Sequence, residues 1–131
     1  MQQSLQKILY VEDDPDIQAV ATMVLELDGL EVVGCSSGRE ALAEIQRAKP
    51  DFILLDVMMP DLDGPQTLRE IRRLNLLQNI PFAFMTAKVQ SNEISELHTL
   101  GACGVIAKPF DPMTLAGQIR ELWEQAVNPN A

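Results

Sequence analysis

The stretch that decides the fold is Phe52-Ile53-Leu54-Leu55-Asp56, in which four apolar residues are followed at once by a carboxylate. Residues 8–14 repeat this arrangement, because Ile8-Leu9-Tyr10-Val11 is followed by three acidic residues. Short, unbroken apolar runs are typical of strands that are buried on both faces of a sheet. Between the two runs, residues 17–25 have the apolar spacing of an amphipathic helix. The pattern therefore predicts a parallel sheet whose strands alternate with helices.

Three further apolar runs extend the same alternation along the chain. They lie at residues 31–35, 81–85 and 103–107, and each is followed by a segment with helical periodicity. We expect five strand–helix units joined by right-handed crossovers, which form an open, doubly wound α/β sandwich. Since a length of 131 residues is typical of one domain, we expect a single domain over residues 1–131 with its core at about 6–126.

Capping residues predict where the first four helices begin and end. Asp14-Pro15 is expected to start the first helix and Asp28-Gly29 to end it. The spacing of Ser37 and Glu40 predicts a capping box at the start of the second helix. The third helix is expected at about residues 66–74 and the fourth at about 90–100.

The last helix is predicted to begin at Asp111-Pro112, which are suited to an N-cap and a first turn. Its inner face is expected to carry four apolar residues at helical spacing: Leu115, Ile119, Leu122 and Ala126. Trp123 lies one residue off this stripe, and two interpretations stay open. The tryptophan is either half-covered by its neighbours or an exposed anchor on a surface that binds other proteins.

The overall charge limits the partners of the domain. The chain has 19 acidic and 10 basic residues and a formal net charge of −9. Because nucleic acids and anionic membranes both require a basic surface, neither is an expected partner. Cys35 and Cys103 lie far apart without clustered histidines, so we expect small core residues rather than a zinc or disulfide site. No apolar run approaches the ~20 residues of a membrane span, and we expect a cytoplasmic protein.

Polar residues follow the apolar runs at the points where the predicted strands end. They are Glu12 and Asp13 after the first strand, Asp56 after the third, Thr86 after the fourth and Lys108 after the fifth. In a parallel sheet these ends share one edge, where open α/β sheets bind their ligands. Clustered carboxylates without thiolate or imidazole partners favour Mg²⁺ or Mn²⁺. Since a carboxylate flanked by a metal, a hydroxyl and an ammonium can accept a phosphoryl group, the residues predict phosphoryl transfer onto an aspartate.

Four motifs carry a resemblance to a known family. They are Ile8-Leu9-Tyr10-Val11-Glu12-Asp13-Asp14, Leu55-Asp56-Val57-Met58-Met59-Pro60-Asp61-Leu62-Asp63-Gly64, Met85-Thr86-Ala87 and Lys108-Pro109-Phe110. Together they resemble the CheY-like receiver domains of two-component response regulators, over nearly the whole chain. The resemblance implies a five-stranded parallel sheet in the order 2-1-3-4-5 with five helices.

The resemblance also implies a role for each site residue. Asp56 would be the phospho-acceptor. Asp13 would bind Mg²⁺ directly and Glu12 mostly through water, while Asp56 and the main-chain carbonyl of Met58 would complete the ligands from the protein. Thr86 would hydrogen-bond a phosphoryl oxygen, and Lys108 would form an ion pair with the phosphoryl group. The Lys108-Pro109 peptide bond would be cis, which aims the lysine into the site.

Members of this family receive the phosphoryl group from a histidine kinase or a histidine phosphotransfer protein, and often from small donors such as acetyl phosphate. The resemblance implies that the phosphorylated state alters binding to a downstream protein or passes the group on. The protein would catalyse only its own phosphoryl transfer and dephosphorylation. Because no output domain is recognisable after Ala126, we expect a stand-alone regulator, and the alternative is a receiver cut from a longer regulator. It would be either a monomer or a dimer promoted by phosphorylation.

One position departs from the usual sequence pattern of the family, and two others affect how long its acyl phosphate lasts. Val105 stands where receivers commonly carry an aromatic residue whose rotamer reports phosphorylation, and a β-branched side chain has little room to swing. Thr86 would then form the switch without its aromatic partner. Met58 and Lys88 occupy the positions that tune the lifetime of the acyl phosphate in the family.

Three other functions compete with this interpretation. A phosphatase that uses aspartyl phosphate would need a second acid–base group near the nucleophile, where this sequence has Met58. A flavin or dinucleotide module would need a G-x-G-x-x-G turn, and the acidic residues 12–14 would repel its phosphates. A degenerate interaction domain would be expected to lack one or more of the key residues, all of which are present.

Overall fold

Five parallel strands form one sheet. The computed structural model describes residues 4–77 and 79–129. The strands are β1 (Lys7–Val11), β2 (Glu31–Cys35), β3 (Phe52–Asp56), β4 (Phe82–Thr86) and β5 (Gly104–Ala107). Their order in the sheet is β2-β1-β3-β4-β5, and each neighbouring pair is parallel. The strand order implied by the resemblance is therefore confirmed.

Five helices cover the two faces of this sheet. They are α1 (Pro15–Leu27), α2 (Gly38–Ala48), α3 (Gly64–Arg73), α4 (Ser91–Thr99) and α5 (Leu115–Val127). α1 and α5 pack on one face with Ile8 and Tyr10, whereas α2, α3 and α4 pack on the other with Leu9 and Val11. The alternation follows from the two-residue period of a strand. The result is the predicted doubly wound α/β sandwich.

α1 begins and ends where the sequence predicts. The Asp14 carboxylate accepts hydrogen bonds from the amides of Asp16 and Ile17 at the first turn. After the helix, Gly29 adopts a φ of 90°, which glycine reaches without the steric cost of a Cβ atom. Because the cap at Asp14 follows β1 so closely, residues 12–14 form a short, fixed connection at the edge of the sheet.

The start of α2 differs in one detail from the prediction. Ser37 Oγ accepts the amide of Glu40, as expected for an N-cap. The Glu40 carboxylate, however, accepts from the amide of Ser36 rather than from that of Ser37. One amide before the helix and one in its first turn are still satisfied, but the reciprocal capping box is shifted by one residue.

α3 begins earlier than predicted. It starts at Gly64 because Asp63 and Gln66 form a complete capping box, in which each side chain accepts the other residue's amide. This box ties the first turn of α3 to the loop that follows Asp56.

α5 begins later than predicted. The Asp111 carboxylate accepts from the amide of Met113, and the Asp111 carbonyl accepts from those of Thr114 and Leu115. Residues 111–114 therefore form a turn, and the regular helix starts at Leu115. Asp111 still satisfies amides at this end, although it is not the N-cap.

The inner face of α5 also differs from the prediction. Its buried residues are Leu115, Ile119 and Trp123, whereas Leu122 is half-buried and Ala126 is exposed. Leu122 still packs against the core as predicted, whereas the prediction for Ala126 is wrong. A tryptophan buries far more apolar area than an alanine, which favours the rotation of the helix that places Trp123 inside.

The packed region extends slightly beyond the predicted core. Leu5 is buried, and Val127 at the end of α5 packs against the same cluster. Residues 1–3 and 130–131 of the predicted domain lie outside the described residues. Cys35 is buried and Cys103 half-buried, and both are free thiols. Burial raises the pKa of the Cys35 thiol to about 12 and that of Cys103 to about 11.

Membrane insertion finds no support in the helices. Within residues 4–77 and 79–129, no helix combines the length and the apolar composition that a membrane span needs.

Candidate functional site

The carboxyl ends of four strands bring the predicted site residues to one edge of the sheet. Asp56 and Thr86 are the last residues of β3 and β4, whereas Glu12 and Lys108 directly follow β1 and β5. The Lys108 amide donates to the Thr86 carbonyl at 2.9 Å, so the pairing of β4 and β5 continues one residue past β5. Segments that are distant in the sequence therefore meet at the edge where open α/β sheets bind ligands.

Three carboxylates cluster at this edge. One oxygen from each of Glu12, Asp13 and Asp56 lies within 4.8 Å of the other two. Glu12 and Asp56 are only 1% and 2% exposed, whereas Asp13 is open to solvent. Negative charges this close repel one another unless a cation lies between them. A set of oxygen donors that is buried on one side and open to solvent on the other fits Mg²⁺, which binds carboxylates while keeping several of its water ligands.

Lys108 supplies positive charge to the same cluster. Its Nζ lies 2.7 Å from Glu12 Oε1 and 3.1 Å from Asp56 Oδ1. The Lys108 side chain is 17% exposed, so these ion pairs are largely shielded from water. The peptide bond between Lys108 and Pro109 is cis, as the resemblance implied. One ammonium thus bridges the ends of β1, β3 and β5.

The charges within this cluster do not balance. Burial raises the pKa of the Asp56 carboxyl to about 7, and the neighbouring Glu12 carboxylate adds to the increase. The Lys108 ammonium opposes this increase without cancelling it. Burial also disfavours the charged form of Lys108, yet its hydrogen bonds to Glu12 and Asp56 raise its pKa overall. A buried pair of carboxylates with a single ammonium still favours a further cation.

Glu12 is held by more groups than the sequence analysis expected. Besides Lys108, the backbone amide of Asp14 donates to Glu12 Oε2 at 3.2 Å. The hydroxyl of the fully buried Tyr10 lies 3.4 Å from Glu12 Oε1, a long and therefore weak hydrogen bond. Burial, followed by the charge of Glu12, raises the pKa of the Tyr10 phenol. The two-residue period of β1 already places positions 10 and 12 on the same side, which is the signal that could have identified Tyr10.

Thr86 is a buried residue at the carboxyl end of β4, the strand next to β3 and Asp56. It is 2% exposed, and its Oγ1 accepts the amide of Lys88 at 3.0 Å. Because a hydroxyl can accept and donate at once, its proton remains available for another acceptor. Val105, in β5, is half-buried and packs against the apolar cluster beneath α4.

The loop after β3 depends on a close backbone approach. A Cβ atom at Gly64 would lie 2.5 Å from the carbonyl oxygen of Asp56, so only glycine fits there. The Gly64 amide donates to the Val57 carbonyl at 2.9 Å, which closes the loop against β3. Met58, whose main-chain carbonyl is a predicted ligand, lies in this loop with its side chain 61% exposed.

Trp123 is not part of this edge. Its side chain is 5% exposed and packs with the core residues between the sheet and the helices α1 and α5. A buried tryptophan cannot serve as an exposed anchor, so that interpretation is wrong, and the side chain is more covered than the half-covered alternative expected.

Comparison with known sequences gives a consistent family assignment. The family model of the response regulator receiver domain matches residues 8–120. The chain is 35% identical over 115 residues to the response regulator SaeR of Staphylococcus aureus. That match covers 88% of this chain and 49% of SaeR, so the chain spans about half the length of the curated relatives it matches.

Solved structures agree with this result. The chemotaxis protein CheY4 of Vibrio cholerae superposes with a TM-score of 0.83 at 31% identity, over 91% of this chain and 99% of CheY4. The receiver domain of the Francisella response regulator 1452 gives a TM-score of 0.82 at 28% identity, over 92% of this chain and 98% of that domain.

The family match places the site in context. Receiver domains accept phosphoryl groups and generally bind Mg²⁺, and they are signalling modules rather than ordinary enzymes that turn over separate substrates. Their partners are histidine kinases or phosphotransfer proteins and downstream proteins. With the 2-1-3-4-5 sheet, the acidic cluster at its carboxyl edge and these matches together, the chain belongs to the CheY-like receiver domains of two-component response regulators.

Proposed function

We propose that Asp56 is the residue of this chain that accepts the phosphoryl group, from a histidine kinase or a histidine phosphotransfer protein. The single observation that carries the proposal is the placement of Asp56: a buried carboxylate, 3.1 Å from an ammonium and within 4.8 Å of two further carboxylates. A nucleophile in such a place has its charge partners already oriented, which is the main requirement of phosphoryl transfer.

The cation site is proposed to consist of Glu12, Asp13, Asp56 and the main-chain carbonyl of Met58. The donor set supports Mg²⁺, with Mn²⁺ as an alternative, because it offers oxygen atoms only. When bound, Mg²⁺ supplies positive charge to the oxygens of the transferring phosphoryl group. The exposure of Asp13 keeps one side of the cluster accessible to solvent and to a donor molecule.

The transfer itself exchanges one bond for another. An oxygen of the Asp56 carboxylate attacks phosphorus, the P–N bond of the donor's phosphohistidine breaks, and its electron pair returns to the imidazole nitrogen. Lys108 is placed to donate to a phosphoryl oxygen, and the free proton of Thr86 Oγ1 to a second. The carboxylate must be ionised to attack, and the Lys108 ammonium favours this form because it opposes the increase in the pKa of Asp56 caused by burial.

The phosphorylated chain is proposed to act by contact or relay. The acyl phosphate would bias an equilibrium between two states that bind a downstream protein differently, or the group would pass to another histidine. Hydrolysis of the acyl phosphate by the chain itself, at a rate set partly by the exposed residues Met58 and Lys88, would reset the signal. Both a monomer and a phosphorylation-promoted dimer are compatible with this proposal.

Mass spectrometry tests the assignment of Asp56. The protein is incubated with acetyl phosphate and Mg²⁺, and the intact mass is expected to increase by one phosphoryl group. Asp56→Asn should abolish the gain, whereas the matched control Asp28→Asn, at the exposed C-cap of α1, should keep it. A gain that survives in Asp56→Asn, or no gain with either acetyl phosphate or a histidine kinase, would contradict the proposal.

A further inference from the structure

Gln18 connects the ends of two strands next to the acidic cluster. It lies in the first turns of α1, and its side-chain amide donates to the Cys35 carbonyl at 2.9 Å and to the Glu12 carbonyl at 3.2 Å. The Glu12 amide also donates to the Cys35 carbonyl, at 3.0 Å. Both hydrogens of one amide group are thus used at the point where β1 and β2 end.

Gly34 makes room for this side chain. A Cβ atom at position 34 would lie 3.2 Å from Gln18 Cδ and 3.2 Å from Gln18 Oε1, closer than comfortable packing allows. The glutamine amide therefore lies directly over the backbone of β2. Since β2 is the edge strand of the sheet, it has a neighbouring strand on one side only, and Gln18 supplies a second attachment at its carboxyl end.

The position of the Glu12 carbonyl oxygen controls the backbone between two of the proposed ligands. It belongs to the rigid peptide unit that links Glu12 to Asp13, so holding this oxygen fixes the direction in which the chain leaves Glu12. Glu12 itself is buried and paired with Lys108, but Asp13 is exposed and no packing holds its side chain in place. The orientation of the Asp13 carboxylate therefore depends on the backbone that Gln18 holds.

We infer that Gln18 is a positioning residue for the cation site. It touches neither the cation nor the acceptor, but it fixes the peptide unit between two of the proposed ligands. The inference rests on the proposed function, because it assigns a role toward the proposed Mg²⁺ site. Gly34 belongs to the same arrangement, since it admits the Gln18 side chain.

Contacts other than those of Gln18 also hold α1 in the fold. α1 is capped by Asp14, buries Ala21 and Leu25, and is tied to α5 by the ion pair between Asp28 and Arg120. Removing an amide from the half-buried position 18 leaves these contacts in place. A positioning role therefore predicts a loss of metal affinity that is larger than the loss of thermal stability explains.

The first test compares Gln18→Ala with the wild type and with Gln118→Ala, a matched control at an exposed position of α5. Mn²⁺ affinity is measured from the electron paramagnetic resonance signal of free Mn²⁺, and Mg²⁺ affinity by competition. We expect Gln18→Ala to weaken both by about tenfold, the low end of the loss seen for residues that support metal ligands. The melting temperature should fall by only a few degrees, and Gln118→Ala should change neither quantity.

A second measurement does not involve the metal. In the metal-free protein, the amide hydrogen of Glu12 should exchange faster with solvent in Gln18→Ala than in the wild type, as followed by nuclear magnetic resonance. Amides in α5 should be unaffected. Unchanged exchange at Glu12 would show that Gln18 does not hold this part of the backbone and would overturn the positioning role.

Gly34→Ala gives an independent variant that leaves the glutamine in the chain. Its new Cβ should displace the Gln18 amide and weaken Mn²⁺ binding in the same direction. In the Gln18→Ala background the same substitution should have little further effect, because the group it displaces is gone. Additive losses in the double variant would show that the two residues act separately and would contradict the inference.

The outcomes also separate this inference from the proposed function. If the wild type is phosphorylated on Asp56 and binds Mn²⁺, but Gln18→Ala binds it equally well, the positioning role fails and the proposed function stands. If the wild type binds neither Mn²⁺ nor Mg²⁺, both fail.

Discussion

Two groups of ion-paired side chains in this molecule have similar chemistry and very different surroundings. Lys108 pairs with Glu12 and Asp56 at the sheet edge, where all three side chains are largely buried. Arg39, at the start of α2, pairs with Asp61 in the loop after β3, where both side chains are more than half exposed. The Arg39 guanidinium holds the pKa of the Asp61 carboxyl below its usual range, whereas burial raises that of Asp56 despite Lys108.

The comparison shows that exposure to solvent, rather than the distance between the charged atoms, decides how much the loss of an ion pair affects stability. Water screens the Arg39–Asp61 pair and would solvate either partner alone, so its loss matters little. At the sheet edge, removing one partner leaves a charge with little water to compensate it. The buried set also has two carboxylates for one ammonium, which leaves it ready for a further cation.

Lys108→Met should have the largest effect on stability. It leaves Glu12 and Asp56 buried without their ammonium, and we expect the free energy of unfolding to fall by about 3 kcal/mol in a chelating buffer. Urea denaturation at pH 8 measures the loss, and added Mg²⁺ should recover part of it. A loss no larger than that of an exposed lysine variant, such as Lys49→Met, would mean that the buried pair resembles a surface pair after all.

Asp56→Asn should stabilise the metal-free protein, in a manner that depends on pH. The folded-state pKa of Asp56 is about 7, above its ordinary value of 3.8, so between these values the folded protein binds more protons than the unfolded chain. Its contribution to stability is therefore present at pH 4 and is lost as the pH rises through 7.

The asparagine variant removes this loss. Linkage with these pKa values gives about 4 kcal/mol at pH 8. Because the edge is open to solvent at Asp13, water screens part of this, and we expect the variant to be more stable than the wild type by on the order of 2 kcal/mol at pH 8 and nearly equal to it at pH 4. Urea denaturation in chelator at both pH values gives the comparison, and Mg²⁺ should reduce the difference at pH 8. A difference that does not change with pH would show that Asp56 does not titrate as its burial requires.

Tyr10→Phe should have a smaller effect. It removes the hydroxyl that lies 3.4 Å from Glu12 Oε1 and keeps the buried ring. We expect a loss of about 1 kcal/mol in unfolding free energy, less than is usual for a hydrogen bond to a charged acceptor, because the contact is long. Chemical denaturation with and without Mg²⁺ measures it. If the phenylalanine variant is more stable, the free-energy penalty of burying the hydroxyl is larger than the stabilisation from its contact with Glu12.

Arg39→Ala should have the smallest effect. The exposed pair with Asp61 is screened by water and salt, so the midpoint of urea denaturation should stay unchanged within error. The matched variant is Asp61→Asn, which tolerates the φ of 69° at this position and should behave in the same way. A clear loss in either variant would show that the pair braces the loop after β3 and is more than a surface contact.

The predictable parts of the molecule are those in which the signal is local. The apolar runs predicted all five strands, because burial on both faces requires unbroken hydrophobic sequence. Asp14 and Gly29 predicted the ends of α1, since capping depends on neighbouring residues only. The start of α3 was predicted too late because the box of Asp63 and Gln66 lies in the loop after β3, ahead of the apolar spacing that indicates the helix.

The failures share a different cause. The inner face of α5 depends on which residue fits the space that α1 and the sheet leave open, and Trp123 occupies it together with most of the predicted stripe, whereas Ala126 lies outside. The roles of Tyr10 and Gln18 depend on distances across separate elements. A glutamine at position 18 has no local signature, and only the carbonyls of two strands give it a function.

By itself, the sequence determined the alternation of strands and helices, the family resemblance and the set of acidic and basic residues at the strand ends. These follow from hydrophobic period and residue chemistry, which are readable along the chain. Only the tertiary structure decided how close the carboxylates lie, that Lys108 is shared between Glu12 and Asp56, and that Gln18 holds the peptide after β1. The physical reason is that charge interactions and hydrogen bonds depend on distance and on the exclusion of water, and both arise only when distant segments pack together.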